Sequence, residues 1–288
     1  MKSCKLEQFR LMMLNKGDGM IHKNRPRLSD GQLKVVDKMK GNSDVKSYLL
    51  LGCLHIPHHN KKIFGGILDL MDTHKFDGII LGGDVLDMGA LSSYEKNKIN
   101  KTGITLEDEY FAGNLVLDEL EKRLPKNAEK VFMFGNHEDR YYRWLSDVNN
   151  SKYGDLIDPI KALGLQNRGY NVYNNYKQDY HKLGSIYVSH GNFYNIHVAK
   201  KMLDTWRRNT ICFHTHRVQM YREGNFCSYV GGFLGDIESD AFYYMPIAQK
   251  QKWGNALIIV NLIGKRHYID LINCVDNGFT YAGVKYGQ

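Results

Sequence analysis

The sequence predicts an α/β fold in which helix-linked parallel strands form one sheet and later strands build a second sheet packed on the first. Three observations carry this. Short β-prone runs stop on Gly or on polar residues, segments with helical spacing separate the first of these runs, and from residue 218 onward strand-like segments follow one another with little helix between. The clearest run is Lys130-Val-Phe-Met-Phe-Gly-Asn-His-Glu-Asp139, an apolar strand that ends in Gly135 and then presents Asn136, His137 and Glu138. In α/β sheets ligands bind beyond the carboxyl ends of strands, so this loop is where chemistry is expected.

Taken in order, residues 1–28 are polar and without a clear period, and read as an arm. Ser29-Asp-Gly-Gln32 has the form of a capping box, and Leu33, Val36 and Met39 follow at helical spacing. Residues 1–46 are therefore expected to be an N-terminal extension with one short helix, and 47–288 the main domain. Ser47-Tyr-Leu-Leu-Leu-Gly52 is the first strand, followed by Cys53-Leu-His55-Ile-Pro-His58-His59. A helix over about 62–74 leads to Asp77-Gly-Ile-Ile-Leu-Gly-Gly83, which ends in Asp84-Val-Leu-Asp87. Strand, helix and strand at this spacing imply a βαβ crossover and parallel pairing. A second capping box, Thr105-Leu-Glu-Asp108, opens a helix that stops before Pro125, so the run at 130–134 completes a second such unit. Another helix begins near Arg140. Residues 146–184 carry little period, and the tyrosines at 170, 173, 176 and 180 are candidates to line a loop over the site. Further strands are Ser185-Ile-Tyr-Val-Ser189, ending in His190-Gly191, and Thr210-Ile-Cys-Phe213, ending in His214-Thr-His216, with a helix around 199–206 between them. Asn255-Ala-Leu-Ile-Ile-Val260 is apolar enough for a central strand.

The 288 residues suffice for a sizeable core, and 43% apolar with 24% charged residues is ordinary for a globular chain. No apolar run is long enough to span a bilayer, and residues 1–10 lack an apolar signal core. Five cysteines, an odd number without CxxC spacing, argue for a reducing compartment. A cytoplasmic protein with no membrane association is expected. The formal charge of +8 favours polyanionic or phosphorylated partners through steering.

Five strand ends thus offer Cys53 and His55, Asp84 and Asp87, Asn136 and His137, His190, and His214 and His216. Imidazole, carboxylate and amide oxygen together suit Mn, Fe or Zn. The order Cys53-Leu-His55, Gly83-Asp84-Val-Leu-Asp87, Gly135-Asn136-His137-Glu138, His190-Gly191 and Phe213-His214-Thr215-His216 resembles the calcineurin-like metallophosphoesterases. In its compact size and its Gly-Asn-His-Glu-Asp-Arg segment it looks like the small phosphoesterases often encoded by phages and prophages, for which the compartment would be the host cytoplasm. The resemblance covers about residues 47–265. It implies a four-layer αββα sandwich of two mixed β-sheets flanked by helices, and hydrolysis of a phosphomonoester or phosphodiester by a metal-bridging hydroxide.

It also implies roles. One of two divalent cations (Mn, Fe or Zn) falls to Cys53, His55 and His216, the other to Asn136, His190 and His214, with Asp84 bridging. His137 would protonate the leaving alcohol, Asp87 would orient the His137 ring, and Arg140 would contact phosphate. Two positions depart from the family. Cys53 stands where it has Asp, which would tilt preference toward Zn or Fe. Phe213 stands where it usually has Gly, and is expected to narrow the space near the metals. The charge leans the substrate toward a nucleotide or nucleic acid. The rival reading is a catalytically weakened module of the same fold that binds nucleic acid or a protein partner, its first metal site emptied by the change at Cys53. Metal stoichiometry separates the two. Tyr141, Tyr142 and Trp144 are read as a helix face packed on the core rather than as base-stacking residues, while His58 and His59 are equally compatible with substrate contact and an exposed loop.

Overall fold

The computed structural model describes residues 45–92 and 103–287. The extension expected over 1–46, with its helix after Ser29, falls almost wholly outside the described residues.

Strand β1 (Val45–Leu51) opens the first sheet and passes through Asn60 into helix α1 (Lys61–Thr73). Asn60 caps this helix, its Oδ1 accepting from the amides of Lys62 at 3.2 Å and Ile63 at 3.1 Å, which satisfies donors that have no intrahelical partner. Strand β2 (Gly78–Gly82) follows, then helix α2 (Leu106–Glu121). The capping box expected at its start is present: the Asp108 amide donates to Thr105 Oγ1 at 3.2 Å and the Thr105 amide to Asp108 Oδ2 at 2.9 Å. Strand β3 (Glu129–Met133) and helix α3 (Asp139–Leu145) complete this half. Two three-residue strands come next, β4 (Asn171–Tyr173) and β5 (His181–Leu183), then β6 (Ile186–Val188), helix α4 (Val198–Trp206) and β7 (Asn209–Cys212). The chain ends in β8 (Val218–Glu223), β9 (Phe226–Gly231), β10 (Asn255–Ile263), β11 (Arg266–Cys274) and the hairpin β12 (Gly278–Tyr281) with β13 (Val284–Gly287).

The strands form a six-stranded sheet in the order β11-β10-β1-β2-β3-β4 and a five-stranded sheet in the order β5-β6-β7-β9-β8. Strands β1 to β4 run parallel, as do β6, β7 and β9, while β10 pairs antiparallel with β1, so both sheets are mixed. Not every late strand joins the second sheet. Strand β10 returns to the first and sits beside β1, carrying β11 with it. Its central residues, Ala256 to Val260, are buried on both faces, and such a strand is stable only inside a sheet covered on both sides.

Alternation along the strands assigns the layers. Leu49, Leu51, Ile79, Leu81, Phe132, Phe134, Leu257 and Ile259 face α1 and α2, packing on Ile63, Ile67, Val116 and Leu120. Tyr48, Leu50, Ile80, Val131, Met133, Ile258 and Val260 face the other way, into a core shared with Leu183, Ile186, Val188, Ile211 and Phe213 of the second sheet. On the far side of that sheet Cys212 and Val230 pack against Val198, Ala199 and Met202 of α4. The result is a four-layer αββα sandwich. Among the described residues no helix is long and apolar enough to cross a membrane.

Candidate metal centre

Because β1, β2 and β3 are parallel to one another, and β6 and β7 likewise, residues that follow these strands gather at the carboxyl edges of the two sheets. The turns there are tight. Cys53, His55, Asp84, His214 and His216 all have left-handed backbone, with φ between 50° and 70°. Outside glycine such a conformation is uncommon and persists only where surrounding contacts hold it. Here the amide of Cys53 donates to the Gly83 carbonyl at 2.9 Å, that of His55 to Asp84 at 2.9 Å, and that of Gly254 to His216 at 2.8 Å.

The side chains meet in two groups that share Asp84. Cys53, His55, Asp84 and His216 form one, with ligand atoms all within 4.8 Å of one another, and Asp84, His190 and His214 form the other to the same criterion. Asp84 Oδ2 lies 3.8 Å from His55 Nε2 and 3.4 Å from His190 Nε2, between the groups. Its Oδ1 accepts from the His137 amide at 2.9 Å. The Nε2 atoms of His55 and His216 face each other at 3.1 Å, close to the ~3.3 Å that two nitrogens subtend when each sits about 2.0–2.1 Å from one tetrahedral ion. Asn136 Oδ1 is 3.3 Å from His190 Nε2 and so extends the second group.

His137, Asp87 and Arg140 lie beside these groups. His137 Nδ1 donates to the Asp87 carbonyl at 2.6 Å and lies 3.3 Å from Asp87 Oδ1, which leaves Nε2 as the nitrogen directed elsewhere. Asp87 is shared, since its Oδ1 also lies 3.0 Å from His55 Nδ1. One carboxylate thus orients two rings, the usual way in which an outer group fixes the tautomer of a ligating histidine. Arg140 is buried; Nη1 donates to the carbonyl of Asp87 at 2.7 Å and of Met88 at 3.3 Å, and Nη2 stands 3.3 Å from His137 Nε2.

Two carboxylates without an assigned role turn out to hold the loops. Glu138 is fully buried and accepts backbone N–H groups from Asp84 at 3.0 Å, Leu86 at 2.9 Å and Gly135 at 2.8 Å, tying the end of β2 to the end of β3. Glu109 of α2 accepts from the amides of Met88 and, at 2.9 Å, Gly89, which fixes the loop after Asp87. The signal for Glu109 was available, because it shares a helix face with the buried Gly113, Val116 and Leu120, where an acid has no place unless it is used.

Burial sets the charge states. It lowers His55 to about 4 and His214 to about 3, and holds His216 well below the usual range, so all three are neutral with lone pairs available near neutral pH. Burial alone would raise Asp84, but His190, His137 and His55 around it hold the carboxyl well below its ordinary value. Burial and the neighbouring Asp84 push the Cys53 thiol well up, so a thiolate there needs a cation to offset its charge.

The residues fit a pair of divalent cations on structural grounds. Both ring nitrogens of buried His214 lack a hydrogen-bond partner, a costly state that a ligand removes. His190 is pre-set to present Nε2, since its Nδ1 lies 2.9 Å from the Gly82 carbonyl. Phe213 departs from expectation. It does not narrow the metal site; its ring is buried in the core between the sheets. A Cβ placed on Gly52, Gly82 or Gly231 would come within 2.3 Å, 2.1 Å and 2.3 Å of that ring, so three strand-end glycines make its space. The loop histidines are not exposed either. His59 is buried against Phe64, and His58 is half-buried with Nδ1 3.2 Å from Ser239 Oγ. Tyr141 packs in the helix-side core as expected.

No family model and no curated relative matches the chain. Solved structures do resemble it in chain path. Vacuolar Protein Sorting 29 from Cryptosporidium parvum is 14% identical over 85% of this chain and 99% of its own, with a TM-score of 0.46. Vps29 from Entamoeba histolytica, complexed with Zn, is 13% identical over 81% of this chain and 96% of its own, with a TM-score of 0.44. YfcE, a phosphoesterase from E. coli, is 12% identical over 75% of this chain and 91% of its own, with a TM-score of 0.36. At these values the chemistry of the site rests on its own residues.

Proposed function

We propose that this chain is a metal-dependent phosphoesterase of the calcineurin-like kind, acting on a nucleotide or nucleic acid ester with two divalent cations of Mn, Fe or Zn. The observation that carries the reading is the position of Asp84: one carboxylate belongs to two clusters of metal-ligating side chains, with His137 beside it. Cys53, His55 and His216 would hold one cation, Asn136, His190 and His214 the other, and Asp84 both. Bound there, the cations would supply positive charge to the phosphoryl oxygens and make water acidic enough to attack at neutral pH.

The protein's own groups do the rest. His137 donates Nδ1–H to the Asp87 carbonyl and its Nε2 accepts from Arg140 Nη2, so it serves as an acid at Nε2 only in the doubly protonated form, once a phosphoryl oxygen takes over the Arg140 contact. Arg140 Nη2 stands next to that nitrogen, and a phosphoryl oxygen that replaces their mutual contact would meet two donors. The Asp87 carboxylate, shared between His55 and His137, couples the orientation of a ligand to that of the acid.

The test is hydrolysis of a chromogenic phosphodiester and its monoester counterpart by metal-stripped protein to which Mn, Zn, Fe or Mg is returned, with Asp84→Asn alongside. Turnover that requires a metal and vanishes with Asp84→Asn, together with two metals per chain, is expected. Folded wild-type protein that turns over neither ester with any metal, yet retains polyanions, would move the reading to the binding module.

A further inference from the structure

Of the tyrosines in the stretch without period, most have structural work. Tyr170 is buried in the helix-side core, the Tyr173 hydroxyl lies 3.2 Å from His181 Nδ1, and Tyr180 packs on Tyr187 and Trp206. Tyr176 differs: its ring lies 6.1 Å from that of His190. His190 is 5.1 Å from His214, and His214 is 4.5 Å from Tyr194. Two tyrosines therefore adjoin the His190–His214 pair of the candidate metal centre.

Tyr194 is 73% exposed, but its loop is not left to itself. Arg217 Nη1 donates to the carbonyls of Asn195 at 3.3 Å and Ile196 at 2.9 Å, and Gln219 Nε2 donates to Ile196 at 2.6 Å. The Ala199 amide returns a bond to Gln219 Oε1 at 3.2 Å, so the start of α4 is fastened to the same strap. The Tyr194 ring is largely exposed beside the metal cluster, and an exposed aromatic face next to a phosphate site is where a base stacks. Positive charge accompanies it. Lys177 lies over the Tyr176 ring at 5.6 Å, and Arg143, which donates to the Asn136 carbonyl at 2.6 Å and pairs with Asp139 at 3.2 Å, is near the Tyr176 hydroxyl. Burial and the nearby Tyr194 both raise the Tyr176 hydroxyl, consistent with the two rings lying close together.

We propose that Tyr194, with Tyr176 nearby, is a base-stacking clamp that selects substrates whose scissile phosphate is joined to a nucleoside. The proposal rests on the phosphoesterase reading above and narrows it to a substrate class. The Tyr194 ring is 4.5 Å from that of His214, so a base stacked on it would lie next to the candidate metal centre, and stacking tolerates any base because each has a π-face. Lys177 and Arg143 would meet the flanking phosphates.

The test compares thymidine 5′-(p-nitrophenyl phosphate) with methyl p-nitrophenyl phosphate, which has the same leaving group and no base. Wild type, Tyr194→Ala, Tyr194→Phe and Tyr176→Ala are each loaded with Mn. Binding of a fluorescent oligothymidylate to the same four proteins at low and high salt is measured in parallel. The ratio of kcat/KM for the nucleoside ester to that for the methyl ester should fall about tenfold in Tyr194→Ala and stay near wild type in Tyr194→Phe. A parallel loss of oligothymidylate affinity identifies a polymer substrate, and loss of the ratio alone identifies a free nucleotide; both support the clamp. An unchanged ratio in Tyr194→Ala overturns it. If wild type cleaves neither ester, the phosphoesterase reading fails separately, and equal oligothymidylate affinity in wild type and Tyr194→Ala then overturns the clamp on binding alone.

Discussion

His137 and Cys53 can be separated from the rest of the site because each acts through one atom. The His137 ring is tied at Nδ1 and, among the clustered side chains, gathers with His55 and Asp87 rather than in either group built around Asp84. His137→Asn should therefore keep the metal content of wild type while kcat falls about 10²- to 10⁴-fold, the usual share of a general acid; metal analysis beside steady-state kinetics reads both. A drop in bound metal equal to the drop in rate would instead make His137 a ligand. Cys53 offers sulfur where the other donors are nitrogen and oxygen, and its Sγ already accepts from the His214 amide at 3.3 Å. Replacing it by the harder carboxylate in Cys53→Asp should move preference from Zn toward Mn, seen as a rise in the ratio of Mn- to Zn-supported turnover. An unaltered ratio would mean that Cys53 is not a ligand.

Strand ends place these atoms, and the packing beneath them is specific. Phe213, the last residue before His214, fills the pocket formed over Gly52, Gly82 and Gly231, three positions at which a methyl group would collide with its ring. One side chain thus packs over the ends of β1, β2 and β9. Phe213→Ala should cost about 3–5 kcal/mol of folding stability, the range for emptying a buried aromatic site, measured by denaturant unfolding. Gly82→Ala should also destabilise, and the double variant should lose much less than the sum, because removing the ring removes the collision. Additive losses would show that the ring and the glycine do not share the space. Glu138 ties the loops after β2 and β3 by accepting three amides. Glu138→Gln turns one acceptor into a donor facing an amide, and should lower stability by about 1–3 kcal/mol.

The response of the entire fold to acid has an identifiable contributor away from the metal groups. His59 is buried with neither ring nitrogen bonded, and burial, aided by Lys61 and His58, lowers its pKa to about 3. The unfolded chain binds a proton there near pH 6.5, whereas the folded chain does not until about pH 3. The unfolded state thus gains protons first, so stability is lost as pH falls from about 6.5 toward 3. The loss from this group approaches 1.4 kcal/mol per pH unit below about pH 6. His59→Leu should unfold at a temperature that depends less on pH than wild type between about pH 7 and pH 5; equal slopes would mean that His59 finds a partner in the folded state.

Much of the site is readable from the chain because its residues follow their strands at once. Gly83-Asp84, Gly135-Asn136-His137 and His214-Thr-His216 each begin where an apolar run stops, and parallel pairing then carries those ends to common edges. The helix after Thr105 was equally readable from its capping box. What could not be read depends on contacts between distant residues. Strands β4 and β5 are three residues long and hold no period to detect, and β10 finds its place beside β1 only once both faces of the first sheet are covered. No local pattern shows that Asp87 serves both His55 and His137, that Phe213 turns into the core rather than toward the metals, or that Tyr194 ends beside His214. Local order in the sequence determines which residues reach the edge of the sheets, because strand and turn propensities act over a few residues; which of them touch is decided by packing between strands far apart in the chain.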